Sequence, residues 1–140
     1  MKLAAGEYYI GDPCYILDED QYDTLLCETE FFMQGSVDRG GVMFDKASRK
    51  YFSVFSTKYG DGVYRGNNGF SYGVDAGCIA CIPVEMVSEP RYDTDVTAVQ
   101  FDHDFEVRYE DGLIVFGDVI INTDPDEEYD DEEYDYEDVA

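Results

Sequence analysis

The sequence predicts an α+β domain that is predominantly antiparallel β, either a curved sheet or a partly open barrel with one early helix, followed by an acidic C-terminal tail. Three observations predict it. Roughly seven short runs rich in Tyr, Phe, Val and Ile are separated by turns containing Gly, Asp and Asn. One segment alone, near the N-terminus, carries apolar residues at helical spacing. Residues 124–140 hold a dense run of acids and almost no aliphatic surface. The 140 residues therefore divide into a compact domain, 1–123, and a tail, 124–140. With 44% apolar and 16% aromatic residues, the composition is that of a folded chain.

Taken in order, Glu7 to Leu17 reads as two short β-type runs on either side of Gly11-Asp12-Pro13. Pro13 cannot donate a ladder hydrogen bond and biases Asp12 toward an extended conformation, which places a bend there. From Asp18 the period changes. Tyr22, Leu25, Leu26, Thr29, Phe32 and Met33 share one face at helical spacing, Asp18 is positioned as an N-cap with Gln21 in the capping-box place, and Gly35 is a stop. Gly41–Phe44 and Lys50–Lys58 read as strands around a turn at Asp45–Arg49. Asp61-Gly62 and Asn68-Gly69 are hairpin-turn dipeptides. Val74 to Val84 reads as a buried strand ending near Pro83. Ala98–Phe101, Phe105–Tyr109, Leu113–Phe116 and Val119–Ile121 complete the set, with a tight turn at Glu110-Asp111-Gly112.

The charge excludes several function classes. The net charge is −24; the tail supplies eleven acids and no base, which leaves 22 acids against 9 bases, or −13, on residues 1–123. Affinity for DNA or RNA is built on Lys and Arg at phosphates, so direct nucleic-acid binding is not expected, and an anionic membrane surface is disfavoured as well. No apolar run is long enough for a membrane span, and the first residues do not form an export signal, so the expected compartment is the cytoplasm. In a reducing compartment Cys14, Cys27, Cys78 and Cys81 are expected as free, packed thiols. Cys78 and Cys81 lie three apart on a strand and point to opposite faces, which argues against a shared zinc ion. His103, the single histidine, sits in Asp102-His103-Asp104 and reads as part of a polar turn. No catalytic motif is present, no cofactor or metal is expected, and an enzyme is not the favoured class.

Three segments share small residues and an aspartate: Ile10-Gly11-Asp12-Pro13-Cys14, Tyr59-Gly60-Asp61-Gly62-Val63-Tyr64 and Val74-Asp75-Ala76-Gly77. Over Ile10 to Pro83 this order resembles an uncharacterised family of small bacterial and phage proteins with DP, GDGxY and VDAG motifs. The resemblance implies a shared β-rich fold and no known activity, with the host cytoplasm as the compartment if the chain is phage-encoded. On the residues themselves, Asp12, Asp61 and Asp75 could converge at one end of the sheet, beside Cys14 or Tyr64, as a small-molecule or hard-cation site. The competing reading is that Gly and Asp recur because turns need positive φ and local side-chain caps.

The tail is the candidate partner-binding segment: Asp126, Glu127, Glu128, Tyr129, Asp130, Asp131, Glu132, Glu133, Tyr134, Asp135, Tyr136, Glu137 and Asp138. Its apolar content is too small to offset the entropy of ordering, so it is expected to be mobile until bound. Extended, it carries roughly one charge per 4.5 Å at about 3.3 Å per residue; helical, roughly one per 2 Å, close to the ~1.7 Å of duplex DNA. The favoured expectation is a non-enzymatic binding protein that engages a basic protein surface, or the nucleic-acid-binding channel of another protein, and inhibits a host nucleic-acid-handling or defence factor by nucleic-acid mimicry. The alternatives are a small-molecule- or cation-binding or catalytic domain on the three aspartates, and a structural or accessory protein of an assembly.

Overall fold

The computed structural model describes residues 2–18, 20, 40–45, 48–58, 60–75, 77–87 and 95–123. They form eleven strands: β1 (Lys2–Leu3), β2 (Gly6–Gly11), β3 (Gly40–Asp45), β4 (Lys50–Ser56), β5 (Gly62–Arg65), β6 (Ser71–Val74), β7 (Cys78–Pro83), β8 (Thr97–Phe101), β9 (Phe105–Glu110), β10 (Leu113–Phe116) and β11 (Val119–Asn122). One helical turn, α1 (Pro13–Ile16), and one 3₁₀ turn (Val84–Met86) interrupt them. Every strand pair is antiparallel, in a five-stranded sheet ordered β3-β4-β7-β2-β8, a four-stranded sheet ordered β1-β9-β10-β11, and the β5-β6 hairpin. The β-rich α+β class holds, and the sheets are not closed into a barrel. The helix expected from Asp18 to Gly35 lies outside the described residues apart from Asp18 and Asp20, as does the whole tail.

Strand β7 is central and buried at all six positions. Its continuous apolar sequence follows from having both faces covered. Ile79 and Cys81 enter the larger core with Tyr8, Ile10, Phe55, Phe116 and Ile121, where side chains of all three sheets meet. Cys78, Ala80 and Ile82 enter the second core on the opposite face, with Ile16, Leu17, Phe52 and Val54. The two thiols therefore face apart, as the period of two requires.

The hairpin β5-β6 turns at Asn67-Asn68-Gly69, where Gly69 has φ +88° and Phe70 N–H donates to Asn68 Oδ1 at 3.2 Å. Asn67 then ties the hairpin to the edge of β11. Its side chain donates to Asp118 O and accepts from Ile120 N–H, both at 2.9 Å, and its own N–H donates to Ile120 O at 2.9 Å. An edge that would otherwise offer unpaired backbone groups is thereby partly covered.

Three local expectations are corrected. The run after Asp12 is helical rather than β-type, because Pro13 suits the first helical position and Asp12 caps it. Asp61-Gly62 is not a hairpin turn, since β4 pairs with β3 and β7 while β5 pairs with β6. The stretch Val74–Val84 is two strands, broken between Val74 and Cys78, where Gly77 takes φ +78°.

Candidate functional site

Asp12 is fully buried and both of its carboxylate oxygens accept backbone N–H groups. Oδ1 accepts from Cys14 at 2.8 Å, the N-cap bond of α1, and Oδ2 accepts from Asp75 at 2.6 Å. A carboxylate held this way is a fixed bracket between the end of β2 and the end of β6. The side chain of Asp75 is itself exposed. Asp61 is also exposed and lies one position before Gly62, whose register partner is Val74, so Asp61 and Asp75 flank the open end of the hairpin. Asp61 and Asp75 thus share one end of β5-β6, and Asp12 is bonded to the backbone of Asp75.

Among the described residues, no group of three or more His, Cys, Asp or Glu side chains is placed to hold a metal ion. Cys14, half-buried, stands beside Asp12, and Tyr64 is buried with its hydroxyl donating to Gly60 O at 2.9 Å and reaching Asp61 O at 3.5 Å. An unforeseen member is Asp95. A Cβ on Gly73 would sit 3.1 Å from Asp95 Oδ1, and one on Gly11 would sit 2.9 Å from Asp95 O, so two glycines admit this residue against β6 and β2. The signal was present only as the glycines, since nothing local marks Asp95 within its polar connection. Burial first, then the charges of Asp75, Cys14, Asp12 and Asp95, push the pKa of the Tyr15 hydroxyl up.

Neither buried thiol is an activated nucleophile. Burial pushes the thiols of Cys78 and Cys81 well above the ordinary range, and the charge of Asp12 adds to the effect at Cys78. Thiols in that state are inert packing groups. His103 is exposed in the turn between β8 and β9, as the polar-turn reading required.

That turn also borders a concavity of about 380 Å³, lined among others by Asp102, His103, Asp104, Glu106 and Asp118. Four carboxylates and one histidine make it an acceptor for cationic side chains. Asp104 Oδ1 additionally accepts the Ala5 N–H at 3.1 Å. The Glu106 carboxyl is held below the ordinary carboxylate range, first by a hydrogen bond to the α-amino group and by its charge, then by Lys2 and Arg108.

Thr123, the last described residue, is buried. Its N–H and hydroxyl both donate to Gly112 O, at 2.8 and 2.5 Å, and its Oγ1 accepts from Lys58 N–H at 3.0 Å. The acidic run therefore begins next to a pinned residue. Among the described residues, no helix is long and apolar enough to cross a membrane. A comparison with family models, curated proteins and solved structures finds no match in any of the three, so the likeness of the DP, GDGxY and VDAG segments rests on those short motifs alone.

Proposed function

We propose that this protein is a non-enzymatic acidic binding protein whose partner presents a basic surface, such as the nucleic-acid-binding channel of another protein. The observation that carries the reading is the run Asp124–Asp138, eleven acids without one base, attached to a domain already at −13. Charge at that density imitates a nucleic-acid backbone, and Tyr129, Tyr134 and Tyr136 offer rings that stack where bases would. The concavity beside Asp102, Asp104, Glu106 and Asp118 supplies a second acidic contact. Two linked weak contacts gain avidity over either one alone. Inhibition of a host nucleic-acid-handling or defence factor is the biological form of this reading.

The reading built on Asp12, Asp61 and Asp75 has less support, because the carboxylate of Asp12 is already engaged by two backbone donors. An accessory role in an assembly uses the same electrostatics and differs only in the partner. The test is affinity capture with the tagged full-length chain beside a version ending at Thr123, washed in low salt and in half-molar salt. The expected partner is basic, is lost with the tail, and elutes in high salt. Retention unchanged by both treatments would overturn the proposal.

A further inference from the structure

A groove of about 280 Å³ opens between the N-terminal segment and the start of β4, and it is lined by Lys2, Tyr8, Arg49, Lys50 and Tyr51 together with the carboxylates Glu7 and Glu85. We propose that this groove docks the chain's own C-terminal segment, residues 124–140, as an intramolecular clamp. The proposal goes beyond the partner reading above and does not rest on it.

Charge is the first argument. Six basic residues are described, Lys2, Arg49, Lys50, Lys58, Arg65 and Arg108, and three of them line this groove. Lys58 and Arg108 face Asp111 and Glu110, at 3.6 and 3.4 Å, and Lys2 stands opposite Glu106 in the β1-β9 register. Arg49 is exposed and makes no ion pair among the described residues; Lys50 meets Glu85 at 3.0 Å, a surface pair of the kind that exchanges readily for another carboxylate. On a protein of net charge −24, a concave site with three cations against two acids is the inverse of its surroundings. It suits an anionic segment.

The second argument is the kind of anion. Tyr51, which lines the groove, is 57% exposed and its ring lies 4.8 Å from that of Phe44, itself 41% exposed, so an exposed aromatic pair adjoins the groove. A free inorganic anion has no use for such a pair. A peptide alternating carboxylates with tyrosines does, and Tyr129, Tyr134 and Tyr136 are spaced among acids in that way.

Reach is the third. The 17 residues after Thr123 span at most about 56 Å when extended. Thr123 bonds to Lys58, eight residues beyond Lys50 along β4, so the tail must cover about 26 Å to reach the groove, about half its extended length. A tether of this length gives an effective concentration near the millimolar range, so an intrinsic affinity of only about 1 mM would leave the groove half occupied. The consequence is selectivity, since an outside partner must be more basic than the groove to take the tail from it.

The test is zero-length carbodiimide cross-linking of the full-length chain at low salt, with the linked peptides mapped by mass spectrometry in the monomer fraction. Linkages from Lys2 or Lys50 to residues Glu132–Asp138 are expected, independent of tenfold dilution, and reduced several-fold by half-molar salt and by Arg49→Glu. Lys58, whose N–H meets Thr123, serves as the internal control for proximity alone. Linkages confined to Lys58, linkages found only in cross-linked dimers, or linkages indifferent to both salt and Arg49→Glu would each overturn the dock. The partner reading fails separately, through the capture experiment with the tail removed.

Discussion

The backbone N–H of Asp75 donates to Asp12 Oδ2 at 2.6 Å, joining two residues 63 positions apart through a carboxylate that also caps α1. One buried side chain thus fixes both the exit from β2 and the break between β6 and β7.

Removing it should destabilise the domain by more than the loss of a surface cap. Asp12→Ala leaves two backbone donors without their acceptor inside the protein, and the expected loss is about 2–4 kcal/mol, combining a cap term and an unsatisfied donor. Asp12→Asn keeps one acceptor oxygen and should fall between wild type and Asp12→Ala. Asp75→Asn, which changes an exposed side chain and leaves its N–H in place, should stay within about 0.5 kcal/mol of wild type. Urea unfolding of the three variants checks the order.

Gly117 turns the chain between β10 and β11 at φ +61°, and a Cβ there would lie 2.9 Å from Phe101 Cε1 and 3.1 Å from Phe105 Cβ. These two rings are stacked with centroids 3.8 Å apart, so neither can move freely. Gly117→Ala should therefore cost about 1–3 kcal/mol, from strained φ together with overpacking. Gly69→Ala, also at positive φ but with open space around it, should cost about 1 kcal/mol and serves as the comparison. Equal thermal shifts for the two would refute the packing component.

Cys78 and Cys81 are fully buried with thiols that resist ionisation, while Cys14 is half-buried. Pulse alkylation at pH 8 should modify Cys14 before Cys78 and Cys81, which react only at the rate of global unfolding. Peptide mapping of the labelled chain reads this directly. Fast labelling of either buried thiol would contradict the placement of β7.

Tyr8 donates its hydroxyl to Ala4 O at 2.7 Å and packs edge-on against Phe101 and Phe105. Burial, then the charges of Cys81, Glu85 and Asp104, pushes its pKa up to about 12. The folded protein thus holds this proton more tightly than the unfolded chain, where a tyrosine ionises near pH 10. The stabilisation is complete below pH 10 and is lost as pH rises through 12. Tyr8→Phe should be less stable than wild type by about 1 kcal/mol at pH 8, through the lost hydrogen bond. That gap should close or reverse above pH 11 in denaturant titrations.

Much of the β framework was legible because its signals are local. Asn68-Gly69 and Asp111-Gly112 mark real turns, and the alternation of Phe105, Val107 and Tyr109 with Glu106 and Arg108 is the alternation of β9. The opposite facing of Cys78 and Cys81 followed from the strand period alone. Other features were hidden for physical reasons. A helical turn of four residues, Pro13–Ile16, is too short to show a period, and its cap bond was inseparable from a bend in sequence. The break after Val74 depends on an acceptor supplied by Asp12, far away in the chain. The acidic concavity and the groove of Lys2, Arg49 and Lys50 are assembled from distant segments, and single charges carry no sign of which others they will meet.

Strand β1 pairs with β9 at Lys2↔Glu106 and Leu3↔Phe105, and β2 is held between β7 and β8. Synthesis delivers these two strands first, yet their partners emerge from the ribosome some seventy to a hundred residues later. The opening segment must wait, uncommitted, for nearly the whole domain to be made. Such delayed pairing favours slow maturation and a strong dependence on chain completion, so that a stalled or prematurely terminated product would lack the partners its first strands require.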